Sequence, residues 1–429
     1  MWQRAVLVER LARGVNRRPR AWLTVFALLL AVQIGPWWYA SRDGCLYLSL
    51  ARNLARGGPV ECLGAAVCVT PGYPLLMTPA FVFGDRPFAA LAAMNWLLAV
   101  ALLIGVYQWA QRHVPQAAVW VAGLTAVNAG VCYYYRRTLK EIAFMAAVVW
   151  AVNALHWVES SPGRAPRMRR AALGLGLVLL AVSIRYTGIA LVAGLGAAVL
   201  LGVSRRRGGH SGGVTLVAVV GGLAVLLLAG LVALVGESYL DGFAKLWSDP
   251  LAQLAEGVRV RIGNLPRVIV PGMLKAYGRP QEWLDWNIAL GLCLAAVVAW
   301  GWHRLAWQRR DVWAWSLPFY LGMYIIWPHH QGARFMVPMV PVLAACFWFA
   351  LAHVRRVRAT FLAVCFFAHL GGTFGYWLLI DAPRAAADHR LWATADQIAG
   401  AIDVGRGAVV TRRLPNNLEP MLVLSLDRP

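Results

Sequence analysis

Long apolar runs alternate with short, basic polar segments from one end of this chain to the other. An α-helix rises about 1.5 Å per residue, so about 20 apolar residues cross the ~30 Å hydrocarbon core of a bilayer. The pattern predicts an all-α polytopic membrane protein with about eleven transmembrane helices. They fall near 21–40, 88–110, 117–133, 142–158, 171–184, 187–203, 213–235, 287–303, 312–327, 336–352 and 359–380. Two of the intervening segments are long, 41–87 and 236–286. The membrane domain is therefore placed at 1–380, followed by a polar C-terminal segment at 381–429. Alternation at Gly407-Ala408-Val409-Val410-Thr411 predicts a strand or two there, in a stretch too short for its own core. The runs show no internal repeat, so the inverted-repeat plan of many secondary transporters has no support.

Composition agrees with a bilayer solvent: 60% of residues are hydrophobic and 14% charged, against roughly 25% charged in soluble domains. Arg17, Arg18 and Arg20 precede the first run, as they would for a secretory signal or an anchor. Trp37, Trp38 and Tyr39 crowd its far end where cleavage needs small residues, which favours an uncleaved anchor with interfacial aromatics. Basic clusters at Arg164–Arg170, Arg205–Arg207, Arg304–Arg310 and Arg355–Arg358 orient the chain with its N-terminus cytoplasmic and its C-terminus outside. On that map every acidic residue except Glu9, Glu159 and Asp311 lies outside. The net charge of +22 is spread over short loops, so membrane lipids account for it and nucleic acid is excluded as a partner. Cys62 and Cys68 share the first outer loop and could form a disulfide in an oxidising compartment, while Cys132, Cys293, Cys346 and Cys365 sit in or beside apolar runs as packing residues.

The first outer loop carries the chemistry. Asp43 lies where the first run ends, and a charge at a bilayer edge is costly unless it has a partner or a task. Leu46, Leu50 and Leu54 recur every four residues, which predicts a short interfacial helix ended by Gly57-Gly58-Pro59. Asp43 and Tyr47 would share one of its faces. A second apolar piece, Tyr73 to Phe83, follows the Pro71-Gly72 turn, and the two interfacial helices could form a shelf for a lipid-linked substrate. Tyr133 to Tyr135 reads as an interfacial aromatic belt.

Taken in order, several motifs resemble one family. They are Asp43 with Tyr47 four later, an Ala-Arg helix ending in Gly-Gly, PGYPLL at Pro71–Leu76 and Phe83-Gly84; then YYYRRTLKEIAF at Tyr133–Phe144, SIRYTGIAL at Ser183–Leu191 and HHQGARFMVPMVP at His329–Pro341. Together they resemble the GT-C superfamily of membrane glycosyltransferases, in particular the bacterial relatives of protein mannosyltransferases and aminoarabinose transferases. Gly44 departs from the pattern, because many members carry a second acidic residue there, and the WWDYG signature of oligosaccharyltransferases is absent.

The resemblance implies an inverting hexosyl- or pentosyltransferase at the outer face of a bacterial inner membrane. It implies a polyprenyl-phosphate-linked sugar donor and a lipid, glycan or protein acceptor. A carboxylate is then needed to take the acceptor proton and cations to hold the departing phosphate. The resemblance gives Asp43 the first role, with Glu141 beside it as a catalytic candidate. Tyr47, Arg137, Lys140, Arg185, His330 and Arg334 are the substrate-binding candidates. No cofactor is otherwise implied, and the resemblance leaves room for a divalent metal. Read from the residues alone, Asp43 could be a solvated loop residue, and Glu141 could pair structurally with Lys140 and Arg137 at a helix start. Arg334 could be a snorkelling anchor, Arg185 a helix cap, and His329 and His330 could face water. A multi-span transporter or lipid flippase is the alternative class; it calls for ionisable residues in mid-span, and the runs are nearly free of them.

Overall fold

The computed structural model of the chain describes residues 14–35, 41–58, 69–137, 139–159, 163–205, 249–269, 281–309, 311–326, 332–352 and 354–389, with 61–62, 65–66, 394–395 and 397. The described residues are almost wholly helical. In chain order the helices are α1 (Pro19–Ala31), α2 (Arg42–Ala55), α3 (Gly72–Met77), α4 (Phe88–His113), α5 (Ala118–Val127), α6 (Ala129–Tyr135), α7 (Glu141–Glu159) and α8 (Arg164–Ile184). After them come α9 (Ile189–Arg205), α10 (Pro250–Ile269), α11 (Gln281–His303), α12 (Val312–Ile326), α13 (Val340–Ala350), α14 (Arg355–Tyr376) and α15 (Ala382–His389). A two-residue antiparallel pair, Glu61–Cys62 with Ala65–Ala66, follows α2.

Five described helices are long and apolar enough to cross a bilayer: Phe88–His113, Glu141–Val158, Trp286–Gln308, Ala333–Ala350 and Thr360–Ala387. The bent pair Pro115–Val127 and Ala129–Tyr135 makes a sixth if it is one span. Pro19–Ala31, Gly72–Phe83, Tyr186–Ala198 and Val312–Ile326 are apolar but shorter. By length and composition the described residues thus account for five or six of the eleven expected spans, and helix breaks divide the apolar runs at Asn128 and at Arg185. The runs at 213–235 and Trp37–Tyr39, the Cys62–Cys68 pairing and the alternation near 407–411 lie outside the described residues or their described side chains. The last helix does not stop near 380: a π-helical turn at Trp377–Asp381 carries it into α15. Large apolar side chains such as Leu97, Val364, Phe367 and Leu379 stay exposed on these helices, the surface expected of a chain solvated by lipid.

Two breaks in apolar helices shape the interior. The first separates α5 from α6 at Asn128, with a bend of 53°. Asn128 Oδ1 accepts from Gly130 N (3.0 Å) and Val131 N (3.2 Å), so it restarts the helix as an N-cap. Thr373 Oγ1 donates to the Val127 carbonyl (2.8 Å), and Asn128 Nδ2 donates to Val268 O (2.9 Å). Backbone freed from a helix at this depth needs such partners.

The second break ends α8 at Ile184. Arg185 is extended (φ −155°, ψ 122°), and a 3₁₀ turn at Tyr186–Gly188 leads into α9. The Thr70-Pro71-Gly72 turn is wedged against this end. Thr70 Oγ1 donates to the Ile184 carbonyl (2.6 Å) and satisfies one of the last-turn acceptors. A Cβ on Gly72 would stand 2.3 Å from Ser183 Oγ and 2.6 Å from the Ser183 carbonyl carbon. Only glycine lets the turn come this close.

Candidate active site

Ser41 caps α2, its Oγ accepting from Gly44 N (3.1 Å). That cap fixes Asp43 in the first turn, where the positive end of the helix dipole favours a carboxylate. Tyr47 follows one turn later and is buried edge-on against Tyr73 of the Pro-Gly-Tyr-Pro turn, with ring centroids 5.3 Å apart. Burial pushes the Tyr47 phenol well above its usual pKa, so it remains a hydroxyl near neutral pH.

Glu141 opens α7 and is fully buried. Arg334 comes from the 3₁₀ turn Gly332–Phe335. Its Nε donates to Glu141 Oε1 (2.5 Å) and its Nη1 donates to Asp43 Oδ2. Arg185, turned inward by the break after α8, donates from Nη1 to the same Glu141 Oε1 (3.3 Å). Its guanidinium also lies over Phe335, 4.3 Å from the ring centroid. Glu141 Oε2 is buried with no hydrogen-bond partner. Asp43 is the accessible carboxylate of the two, with its side chain 44% exposed.

Lys140 adjoins Glu141. Its Nζ lies 5.6 Å from the Tyr47 ring centroid and 5.9 Å from that of Tyr186. Burial, reinforced by the nearby Arg185 charge, lowers its ammonium to about 7. With Lys140 protonated, three cations face two carboxylates, so the cluster carries one positive charge in excess. A buried surplus of this kind attracts an anion.

Asp43, Tyr47, Lys140, Glu141, Arg185 and Arg334 therefore meet, and Arg137 does not join them. Its Nη2 pairs with Asp381 Oδ1 (3.5 Å), and its guanidinium lies 3.5 Å over the Tyr133 ring. Arg136 completes that second cluster, reaching Asp381 Oδ2 (2.6 Å) and Gln33 Oε1 (2.8 Å). His330 lies outside the described residues. The three tyrosines after Val131 do not form a belt. Tyr135 is buried and its hydroxyl donates to the Leu30 carbonyl (3.0 Å), Tyr133 lies under Arg137, and the Arg334 guanidinium approaches Tyr134 at 5.7 Å. Phe335 and Tyr186 were not singled out in the sequence, although each sits next to a residue that was.

These residues do not fit a divalent cation between the carboxylates. Arg334 bridges Asp43 and Glu141, and Gly44 supplies no further ligand. The guanidinium provides the positive charge that a metal would otherwise bring.

The overall architecture settles the fold. An oligosaccharyltransferase from Archaeoglobus fulgidus, solved with Zn and sulfate, superposes with a TM-score of 0.57 at 14% identity, covering 95% of this chain and 61% of that one. Archaeal oligosaccharyltransferase AglB from Archaeoglobus fulgidus, in complex with an inhibitory peptide and a dolichol-phosphate, gives 0.55 at 16% identity, covering 90% and 58%. ArnT from Cupriavidus metallidurans, bound to undecaprenyl phosphate, gives 0.55 at 13% identity, covering 94% and 84%. This chain has the GT-C fold. It spans about three fifths of the archaeal enzymes and most of ArnT. No protein-family model matches the sequence, and no curated protein matches it either. Within the GT-C fold, the ion-paired cluster is where α2, α7, the end of α8 and the turn before α13 converge.

Proposed function

We propose that this GT-C chain is an inverting glycosyltransferase that moves a sugar from a polyprenyl-phosphate donor to an acceptor hydroxyl. The observation that carries the reading is the Arg334 clamp across Asp43 and Glu141, set among Arg185 and Lys140. Such a cluster offers an accessible carboxylate beside a cationic surplus, which is the pairing this reaction needs.

The donor phosphate is drawn to the cationic surplus, and Arg334 exchanges its contact with Asp43 for the phosphate oxygens. Arg334 and Arg185 present planar forks suited to those oxygens, and Lys140 adds a point charge. Asp43, released, accepts the proton of the acceptor hydroxyl. The acceptor oxygen bonds to the anomeric carbon from the side opposite the phosphate. The carbon–oxygen bond to phosphate breaks as this happens, and its electron pair leaves on polyprenyl phosphate. Attack from the opposite side inverts the anomeric centre. Glu141 stays anionic between Arg334 and Arg185 and keeps both guanidiniums aimed at the phosphate. Its Oε2, without a partner of its own, is a seat for a donor hydroxyl.

The bound polyprenyl phosphates of ArnT and AglB support this donor class. The peptide on AglB and the lipid-linked chemistry allow a protein, glycan or lipid acceptor. Basic clusters such as Arg164–Arg170 support an active site on the extracytoplasmic side of a bacterial inner membrane, with the N-terminus cytoplasmic.

Asp43→Asn tests the reading. The change keeps size and cap geometry but removes the base, so transfer from a polyprenyl-phosphate sugar should fall by about 10²–10⁴-fold with the protein folded. Full retained transfer removes Asp43 from the chemistry.

A further inference from the structure

A second polar cluster lies far from the first. His156 sits on α7 about four turns beyond Glu141, on the order of 22 Å along the helix axis. His113 ends α4. Asp311 precedes α12 and accepts from Ala314 N through Oδ1 (2.7 Å), which caps that helix. Its other oxygen, Oδ2, turns inward to the two imidazoles. His113 Nε2 lies 3.1 Å from it and His156 Nε2 3.3 Å, and the two nitrogens are 3.4 Å apart. Trp109 Nε1 also donates to Oδ2 (2.9 Å). His113 and Asp311 are buried, and His156 is nearly so.

A tetrahedral zinc ion with bonds of about 2.0–2.1 Å holds its ligand atoms about 3.3–3.4 Å apart. The triangle of Nε2, Nε2 and Oδ2 matches those separations on two edges, 3.3 and 3.4 Å, and its third edge, 3.1 Å, is slightly shorter. Hydrogen bonding alone serves the cluster poorly. Three donors would crowd onto Oδ2, and the two Nε2 atoms would point their hydrogens into the same small space. A cation instead takes both nitrogen lone pairs and one carboxylate oxygen. Trp109 and Ala314 then act as outer partners that orient the carboxylate, the arrangement usual for metal-bound side chains.

We propose that His113, His156 and Asp311 bind a divalent transition-metal cation, zinc first among them, which braces α4, α7 and the start of α12 at the end of the bundle away from Asp43. Neutral imidazole with one carboxylate suits zinc and disfavours magnesium, which prefers oxygen ligands.

The test uses full-length protein purified in detergent without a histidine tag. Zinc measured by mass spectrometry should approach about one ion per chain. Stripping with a chelator should lower the melting temperature, and Zn²⁺ but not Mg²⁺ should restore it. Co²⁺ added to the stripped wild type should give the intense visible bands of a tetrahedral site. His156→Gln keeps a donor to Asp311 but ligates poorly; it should lose the zinc-dependent stabilisation at least tenfold in Zn²⁺ concentration. Stripped wild type showing neither a Zn²⁺-dependent shift nor cobalt bands overturns the proposal, whatever the variant does. So does His156→Gln that keeps the full zinc response.

Discussion

Arg334 holds two carboxylates that lie far apart in the sequence, and this contact decides what each neighbour can do. Asp43 was legible as a candidate because a charge at the end of an apolar run demands an explanation, and Glu141, Arg185 and Arg334 through the motifs that resemble the GT-C superfamily. Their pairing was not, since contacts between residues this distant depend on how the helices pack. Arg137 shows the limit. Nothing local separates it from Lys140, yet the chain turns it towards Asp381, a residue that carried no signal in the sequence. Lys140 supports a pH prediction. Its ammonium, lowered to about 7, is charged below that pH and neutral above it. The proposed donor is a phosphodiester, whose own charge does not change near neutrality. Donor affinity should therefore be greatest below about pH 7 and weaken as pH rises, by at most about tenfold per unit. Lys140→Arg should flatten the curve at high affinity, and Lys140→Met should flatten it at low affinity. Titrations of donor binding in detergent across neutral pH would check this.

At the scale of elements, the helix breaks place the candidate residues. The apolar period located most of the long helices, but it could not show where a run is interrupted. Asn128 looks unremarkable within its apolar run, and only its bonds to Gly130, Val131 and Val268 reveal it as the start of a new helix. The PGYP motif was visible, whereas its partner, the end of α8, was not. That docking argues for a backbone test. Gly72→Ala should force the turn away from Ser183, cost about 1–3 kcal/mol, and loosen donor binding because Arg185 follows the same helix end. Gly176→Ala, in α8 where a Cβ meets nothing within 4 Å, is the matched control and should leave stability unchanged or slightly raised. Thermal unfolding of both variants in detergent separates the two outcomes. Equal melting temperatures would mean that the turn does not hold the helix end.

For the whole molecule, the charge pattern predicts an orientation that can be tested in cells. Asp85 is exposed beside α4 and pairs with Arg56, on the same side as the Asp43 cluster by the sequence map. With the seven native cysteines replaced by serine, Asp85→Cys should react with a membrane-impermeant maleimide in intact cells, while Arg169→Cys should react only after permeabilisation. The reverse pattern would invert the map. The Arg334 clamp has a consequence for enzyme economy. While Arg334 is paired with Asp43 Oδ2, that oxygen is not free to take a proton from a stray water molecule. On the proposed chemistry the donor itself lifts the cover, so the site arms only when cargo is loaded, and idle breakdown of an expensive lipid-linked sugar is held back.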